Sequence, residues 1–455
     1  MPVPRPVSRP LSALVAAATI GSLAATLAPS PATAASSYDP QPRAQGAAWL
    51  ASQLTDDLVH NEQFQFDDIG LSIDVALGLD AAGKKATVVK AITKAVAKNV
   101  AFYVGDGDQG IYAGPTAKAA VLAETQSKNP RSFGGLDLVA QLEGRVATAA
   151  PIAGRIQDAY DPTSEFGGDF ANVIGQAYAA QALSGTKSAA AAPVARFLLE
   201  QQCSDGFFRL SFTADKTAAD QSCDGAARAE RTPDTDATAI AVLALQHVKG
   251  AKAKGAVKKA VAWLVDVQGA DGSFGGGKST KDANANSTGL AGWALGGTGA
   301  TKAAVRAAVW VRNLQVSAPN PCSNRLAKAT GAIAYDQDAY GTAQGFGIKK
   351  KTQDQWRRAS AQALPALQWA PRAIGELTAR APLSVQAGHQ LTISLTGVAP
   401  GQRVCVTEGA SSYEFFSGPK ATSQVTFAVA SDPGVRTFRV WVGSKRRDVT
   451  VRVTG

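Results

Sequence analysis

Histidine and cysteine are scarce in this chain: 455 residues hold three of the first and four of the second. His60, His247 and His389 stand near no cysteine at ligand spacing, which argues against a zinc site, so neither a metal nor another cofactor is expected. Aromatic residues make up only 7% and do not interleave with the basic clusters Lys249–Lys259, Lys349–Arg358 and Arg436–Arg452. The net charge of +10 therefore reads as solvated faces that attract anionic wall polymers or lipid head groups weakly, and not as a nucleic-acid surface. Spanning apolar runs are missing as well. The one apolar run, Leu11–Leu27, follows Arg5 and Arg9 and precedes the small-residue site Ala32-Thr33-Ala34. Residues 1–34 thus read as a secretory signal peptide, with a run too short and too rich in Ala to span a bilayer. No lipobox cysteine or sortase-type tail follows, and a free secreted protein is expected. Four cysteines suit an oxidising compartment. Cys203 and Cys223 bracket one Gly-Phe turn and a polar loop and are the expected bridge, leaving Cys322 and Cys405 to pair across domains or stay free.

What the chain does have is repetition. In Val257–Gly299, an amphipathic helix carrying Trp263 ends at the turn Gly269-Ala-Asp-Gly-Ser-Phe274, and Asn284-Ala-Asn286 precedes a second helix of Ala, Gly, Leu and Trp. A helix apolar on all sides is buried on more than one side, so the unit is an outer helix, a Gly-rich turn and an inner helix. An aromatic residue followed five positions later by Gln recurs at Phe197/Gln202, Trp263/Gln268 and Trp310/Gln315. A polar pair ahead of the inner helix recurs at Asp234/Asp236, Asn284/Asn286 and Asp336/Asp338, at spacings of 50 and 52 residues. Such periods mark supersecondary units that cannot bury their apolar faces alone. The expected fold is a toroid of six helical hairpins over residues 35–375, with inner helices near 71–79, 116–124, 173–183, 237–245, 288–295 and 339–346, and a helix at 353–367 closing the ring. From about Leu377 the texture changes to seven short alternating strands between Gly and Pro, which predicts a small immunoglobulin-like β-sandwich over 376–455.

The aromatic-Leu-x-x-x-Gln…Asp-Gly-x-Phe units resemble the repeats of the terpene cyclase and protein prenyltransferase superfamily, the α/α toroid, over roughly residues 45–370. That resemblance implies a barrel of inner helices around a central pocket, with the Gln tying neighbouring helix ends together. Asp234-Thr-Asp236-Ala-Thr-Ala239 is similar to the acid motif of class II cyclases. It implies Asp236 at the proton donor's position and Asp234 at that of the first Asp, while Ala237 replaces the third. The same pair recurs in register where helix caps belong, and Asp and Asn are favoured caps; the cap reading is preferred. The ligands of the zinc transferases and the Cys-Gly-Glu-Gln of the thioester proteins are absent. The order of barrel and β domain is also similar to that of the vitamin B12 carriers of the transcobalamin type.

Three functions follow as expectations. The first is a secreted, non-catalytic toroid that binds an apolar or amphipathic small molecule, or a cell-envelope surface component, at the barrel mouth through Tyr178, Asn286, Trp293, Asp338 and Tyr340. The second is a cyclase-like isomerase with Asp236 as general acid, for which the aromatics that steady carbocations are few. The third is a polysaccharide-processing barrel using carboxylates such as Asp161, Glu165 and Asp169 on the connection 158–169.

Overall fold

The computed structural model describes residues 38–105, 110–163, 167–416 and 421–455. The segment 1–34 expected to be a signal peptide, Glu165 and part of the second repeat's turn lie outside them. Thirteen helices are arranged among the described residues. Six form an inner ring: α2 (Ile69–Ala81), α4 (Ala113–Thr125), α6 (Val173–Gly185), α8 (Thr235–Leu245), α10 (Ala285–Gly297) and α13 (Lys350–Ala363). Each packs on the next in that order, and α13 returns to α2, so the ring closes. Six more clothe it: α1 (Pro40–Ala51), α3 (Ala86–Val104), the short α5 (Leu138–Glu143), α7 (Ala191–Glu200), α9 (Ala251–Val267) and α11 (Thr301–Asn313). Their amphipathic sequences give one buried stripe, whereas the inner helices are buried nearly all round.

The recurring Gln and Gly residues hold this outer layer together. Gln202 Nε2 donates to the Gly206 and Ala256 carbonyls at 2.8 and 2.9 Å, and Gln268 Nε2 to those of Gly272 and Ala303, both at 3.0 Å. Gln315 Nε2 reaches the Pro42 carbonyl at 2.9 Å, joining the last outer helix to the first. Each Gln thus pins its own turn to the following outer helix. The turn glycines have positive φ (106° at Gly206, 96° at Gly272), a region that L side chains avoid. A Cβ at Gly272 would also lie 2.4 Å from the Arg306 carbonyl of α11. Phe208 and Phe274 fold back beneath and are buried.

One expected inner helix is elsewhere. The polar pair Asp336/Asp338 does open a helix, α12 (Gln337–Phe346), with Asp336 accepting from the Ala339 amide at 2.7 Å. That helix packs on the 3-10 segment Pro321–Ala329 and not in the ring, because its Gln, Asp, Thr and Gly leave only Tyr340 and Ala343 buried. The sixth place belongs to α13, whose Trp356, Ala359, Ser360, Ala361 and Ala363 are buried. It enters through small residues on both neighbours. A Cβ on Gly78 of α2 would stand 2.4 Å from the Ala361 carbonyl, and one on Gly289 of α10 would stand 2.3 Å from Ala363 Cα. Gly78→Ala is therefore expected to destabilise by about 1–3 kcal/mol in urea unfolding, as overpacking does, whereas in an open helix Ala would stabilise by up to about 1 kcal/mol.

The β region has eight strands, one more than the sequence suggests: β5 (Thr378–Arg380), β6 (Ser384–Gln386), β7 (Gln390–Thr396), β8 (Val404–Glu408), β9 (Ser411–Phe415), β10 (Gln424–Ala428), β11 (Gly434–Val442) and β12 (Lys445–Thr454). Four two-residue strands in the barrel precede them: β1 (His60–Asn61) with β2 (Phe66–Asp67), and β3 (Gly110–Ile111) with β4 (Ala159–Tyr160). One sheet is ordered β5–β7–β10 and the other β6–β12–β11–β8–β9. Among the described residues the single parallel pair is β6 with β12. This is an immunoglobulin-like sandwich, its core made by alternate residues such as Leu391, Ile393 and Leu395 against Val449, Val451 and Val453. A bridge between Cys322 and Cys405, with Cα atoms 5.8 Å apart, ties it to the barrel. Beside the bridge, Arg403 donates to the Asn313 carbonyl (2.6 Å), Gln337 (2.7 Å) and Glu414 (2.8 Å).

Candidate functional site

Five of the six inner helices share a register. Their N-caps are Asp68, Tyr112, Asn172, Asp234 and Asn284, and equal steps beyond each cap reach the same face. Two residues on stand Gly70, Gly114, Ile174, Asp236 and Asn286. Six on stand Asp74, Lys118, Tyr178, Ile240 and Leu290, and nine on Leu77, Val121, Gln181, Leu243 and Trp293. Steps of 4 and 3 keep to one helix face, and the sixth and ninth positions all line hollows in the lumen. The larger hollow, about 420 Å³, lies toward the ends of the inner helices and has Leu77, Val121, Leu243, Leu290 and Trp293 in its wall. A second of about 310 Å³ lies toward their starts, among Tyr103, Tyr112, Lys118 and Phe170. Asp74, Tyr178, Ile240 and Gln362 border both.

At this waist lies an ion pair. Lys118 Nζ stands 2.6 Å from Asp74 Oδ1 and donates to the Gly70 carbonyl at 3.0 Å. Burial opposes the Lys118 charge, but Asp74, Tyr103 and Tyr178 together outweigh it and hold the ammonium above its ordinary range. Burial likewise pushes the Tyr178 and Tyr103 phenols up, so both stay neutral donors at ordinary pH. An ammonium with three N–H bonds and two phenols thus face the second hollow, with Asp74, Asp158, Asn172 and Gln362 also in its wall. Asp74, Lys118 and Tyr103 were not among the residues singled out from sequence. Their signal is a lone charge within an apolar inner helix, as in Leu71-Ser-Ile-Asp-Val and Thr116-Ala-Lys-Ala-Ala.

The recurring polar pair divides its labour. The first member caps: Asp234 accepts from the Ala237 amide at 2.8 Å, and Asn284 from the Ser287 amide at 2.9 Å. The second member, two residues on, does not. Asp236 Oδ1 and Asn286 Oδ1 are buried and meet no donor in the described structure. The Gly276–Gly277 turn lies over Asp236: a Cβ on Gly276 would come 3.1 Å from Asp236 Oδ2 and 3.0 Å from Ser287 Oγ. Burial pushes the Asp236 carboxyl up to about 6; the Ser287 hydroxyl lowers it and Asp234 raises it. Since the folded value exceeds the unfolded one, stability is lost over the pH range in which the unfolded chain has released this proton and the fold still holds it. Stability from this group is intact below pH 4 and falls as pH rises through about 6. Asp236→Asn is expected to remove that fall, on the order of 2 kcal/mol, as a flatter pH profile of the urea midpoint between pH 4 and 7. An unchanged profile would contradict the assignment.

The other residues singled out from sequence are placed as follows. Tyr178 and Trp293 line the lumen, and Asn286 stands beside Asp236 on the adjacent helix. Asp338 and Tyr340 are on α12, outside the ring. Asp338 is exposed, and Tyr340 is buried under the Arg403 guanidinium, 3.6 Å from its ring centre. Cys203 and Cys223 are bonded, with Cα atoms 5.0 Å apart. On the 158–169 connection, Asp161 holds an exposed turn through Thr163. Asp169 is buried between Lys216 (2.8 Å) and Arg155 (3.3 Å). Burial alone would raise its carboxyl; the hydrogen bonds from Lys216 and the Asp158 amide outweigh it and draw it below the usual range. These two carboxylates fasten the loop and do not face one another as an acid/base pair. Among the described residues no cluster of His, Cys, Asp or Glu is placed to hold a metal.

No protein-family model and no curated protein matches this chain. Solved structures with similar backbones include a protein from Actinoplanes, 17% identical, with a TM-score of 0.48 over 73% of this chain and 99% of that one. The type II terpene cyclase MstE from Scytonema is 14% identical, with a TM-score of 0.47 over 72% and 96%. Unsaturated glucuronyl hydrolase from Bacillus sp. GL1 is 14% identical, with a TM-score of 0.44 over 72% and 96%.

Proposed function

We propose that this chain is a binding protein whose helical ring takes an apolar or amphipathic small molecule into its lumen. The observation that carries the reading is the hollow of about 420 Å³ walled by Leu77, Val121, Leu243, Leu290 and Trp293. Small-molecule sites fall in the range of about 300–1,000 Å³, and are mostly apolar with a few convergent polar groups. Here those groups include Asp74, Tyr178, Gln181, His247 and Gln362, with Lys118 held by Asp74 at the waist, and they suit a ligand with a polar group at one end. The two cysteine bridges suit an oxidising compartment, and no described helix is long and apolar enough to cross a membrane; both support the secreted reading. The test is to incubate purified protein with a lipid extract, re-isolate it and weigh it intact under native conditions. One bound small molecule per chain is expected; unliganded protein after exposure to the whole extract would sink the reading.

A second reading has its own observation. Asp236 is a carboxyl raised to about 6, with one buried oxygen unpartnered beneath the Gly276–Gly277 turn, and a raised carboxyl is what a proton donor working near neutral pH needs. Under this reading Asp236→Asn abolishes conversion of a bound ligand while leaving its uptake intact.

A further inference from the structure

Lysine recurs where each inner helix hands over to its outer partner. Lys85 lies between α2 and α3, Lys128 between α4 and α5, Lys187 between α6 and α7, and Lys249 between α8 and α9; Lys252 and Lys302 stand in the first turns of α9 and α11. All six are exposed, and none makes an ion pair or side-chain hydrogen bond among the described residues. The carboxylates at this end are few. Asp80 accepts from Gln126, burial pushes the half-buried Glu124 up to about 7, and Asp137 and Glu143 face Arg131. Helix dipoles do not account for the pattern. A lysine here stands near the C-terminus of one helix, which favours it, and near the N-terminus of the next, which does not. The larger hollow reaches this same end: Ala81, Thr125, His247 and Gly297 all border it or its rim.

We infer that this end of the barrel docks on an anionic lipid bilayer surface. Unpaired lysines spaced around one face give a broad positive field instead of a single binding pocket, and such a field matches the negative surface of a membrane. Lipid is chosen over another polyanion because the apolar hollow opens on this face. A water-insoluble ligand would then pass from the acyl phase to Leu243 and Trp293 without crossing bulk water. That choice rests on the ligand reading above, but docking and uptake are separate readouts, and uptake is measured free of vesicles.

The experiment is co-sedimentation with vesicles of phosphatidylcholine alone or with 30% phosphatidylglycerol, about 50 or 500 mM salt being the two conditions. The expected result is binding only to the phosphatidylglycerol vesicles and loss at the higher salt. Each lysine near an anionic surface contributes about fivefold, so Lys128→Gln/Lys187→Gln/Lys249→Gln is expected to weaken binding on the order of a hundredfold. The control Lys349→Gln/Lys350→Gln/Lys351→Gln removes equal charge from the opposite end and should leave binding within about twofold. Equal losses in both triple variants would reduce the effect to net charge and overturn the inference. So would equal binding to pure phosphatidylcholine, or binding to immobilised polyphosphate as tight as to the vesicles. All six positions are solvent-exposed, so both variants keep the fold, which circular dichroism checks.

Discussion

Lys118→Met is expected to lower folding stability by about 3–5 kcal/mol, the usual cost of leaving one partner of a buried ion pair alone. Lys118 and Asp74 have side chains 15% and 16% exposed, so little water reaches Asp74 to take over from the ammonium. The double variant Lys118→Met/Asp74→Leu should recover most of the loss, because paired removal of a buried ion pair is often neutral. Urea unfolding of the wild type, both single variants and the double variant closes the cycle and isolates the coupling between the two side chains. A single variant as stable as the wild type would mean that the waist is hydrated and that the pair does not partition the lumen.

Leu243→Trp should weaken uptake of an apolar probe such as N-phenyl-1-naphthylamine at least a hundredfold without unfolding the ring. Leu243 is half-buried and borders the larger hollow, so the extra ring atoms have open space to enter and close-packed neighbours need not move. The loss follows from occupying volume that the ligand needs. Fluorescence titration reads the affinity, and an unchanged value would place the probe outside the ring. Leu243→Ala provides the opposite sign: it enlarges the hollow and should hold or raise the affinity for a larger probe.

The repeat was legible because its determinants are local. Gln202, Gln268 and Gln315 recur five residues after an aromatic, and the structure gives all three the same task of fastening a turn to the next outer helix. The sixth inner helix was not legible in the same way. Asp336/Asp338 carries the register of the earlier pairs, yet the cap motif says only that a helix starts, not which layer receives it. What decides is lateral packing: Gly78 and Gly289 leave room for α13, and nothing near residues 337–346 announces that. The β region shows the same division. Alternation predicted seven strands, and β5, three residues long, is added through pairing with β7 across the sheet.

The site was half legible. Tyr178 and Trp293 stand out as aromatics in apolar helices, and both line the lumen. Asp236 drew attention through a motif, but its sequence cannot separate the cap from the residue two positions on; the geometry does, giving the cap to Asp234. Asp74 and Lys118 are 44 residues apart in the chain, and neither lies in a recognisable motif. They meet because both sit six positions past a helix cap on adjacent inner helices, a relation that exists only once the ring has closed.

The account depends on that closed ring leaving an apolar hollow at its centre, and xenon tests it most directly, because the gas settles in apolar cavities and not in hydrated ones. Crystals of the protein pressurised with xenon should show ordered xenon inside the ring, against Leu77, Leu243 and Leu290. A lumen that holds no xenon, and instead a file of ordered water from Lys118 to His247, would contradict it.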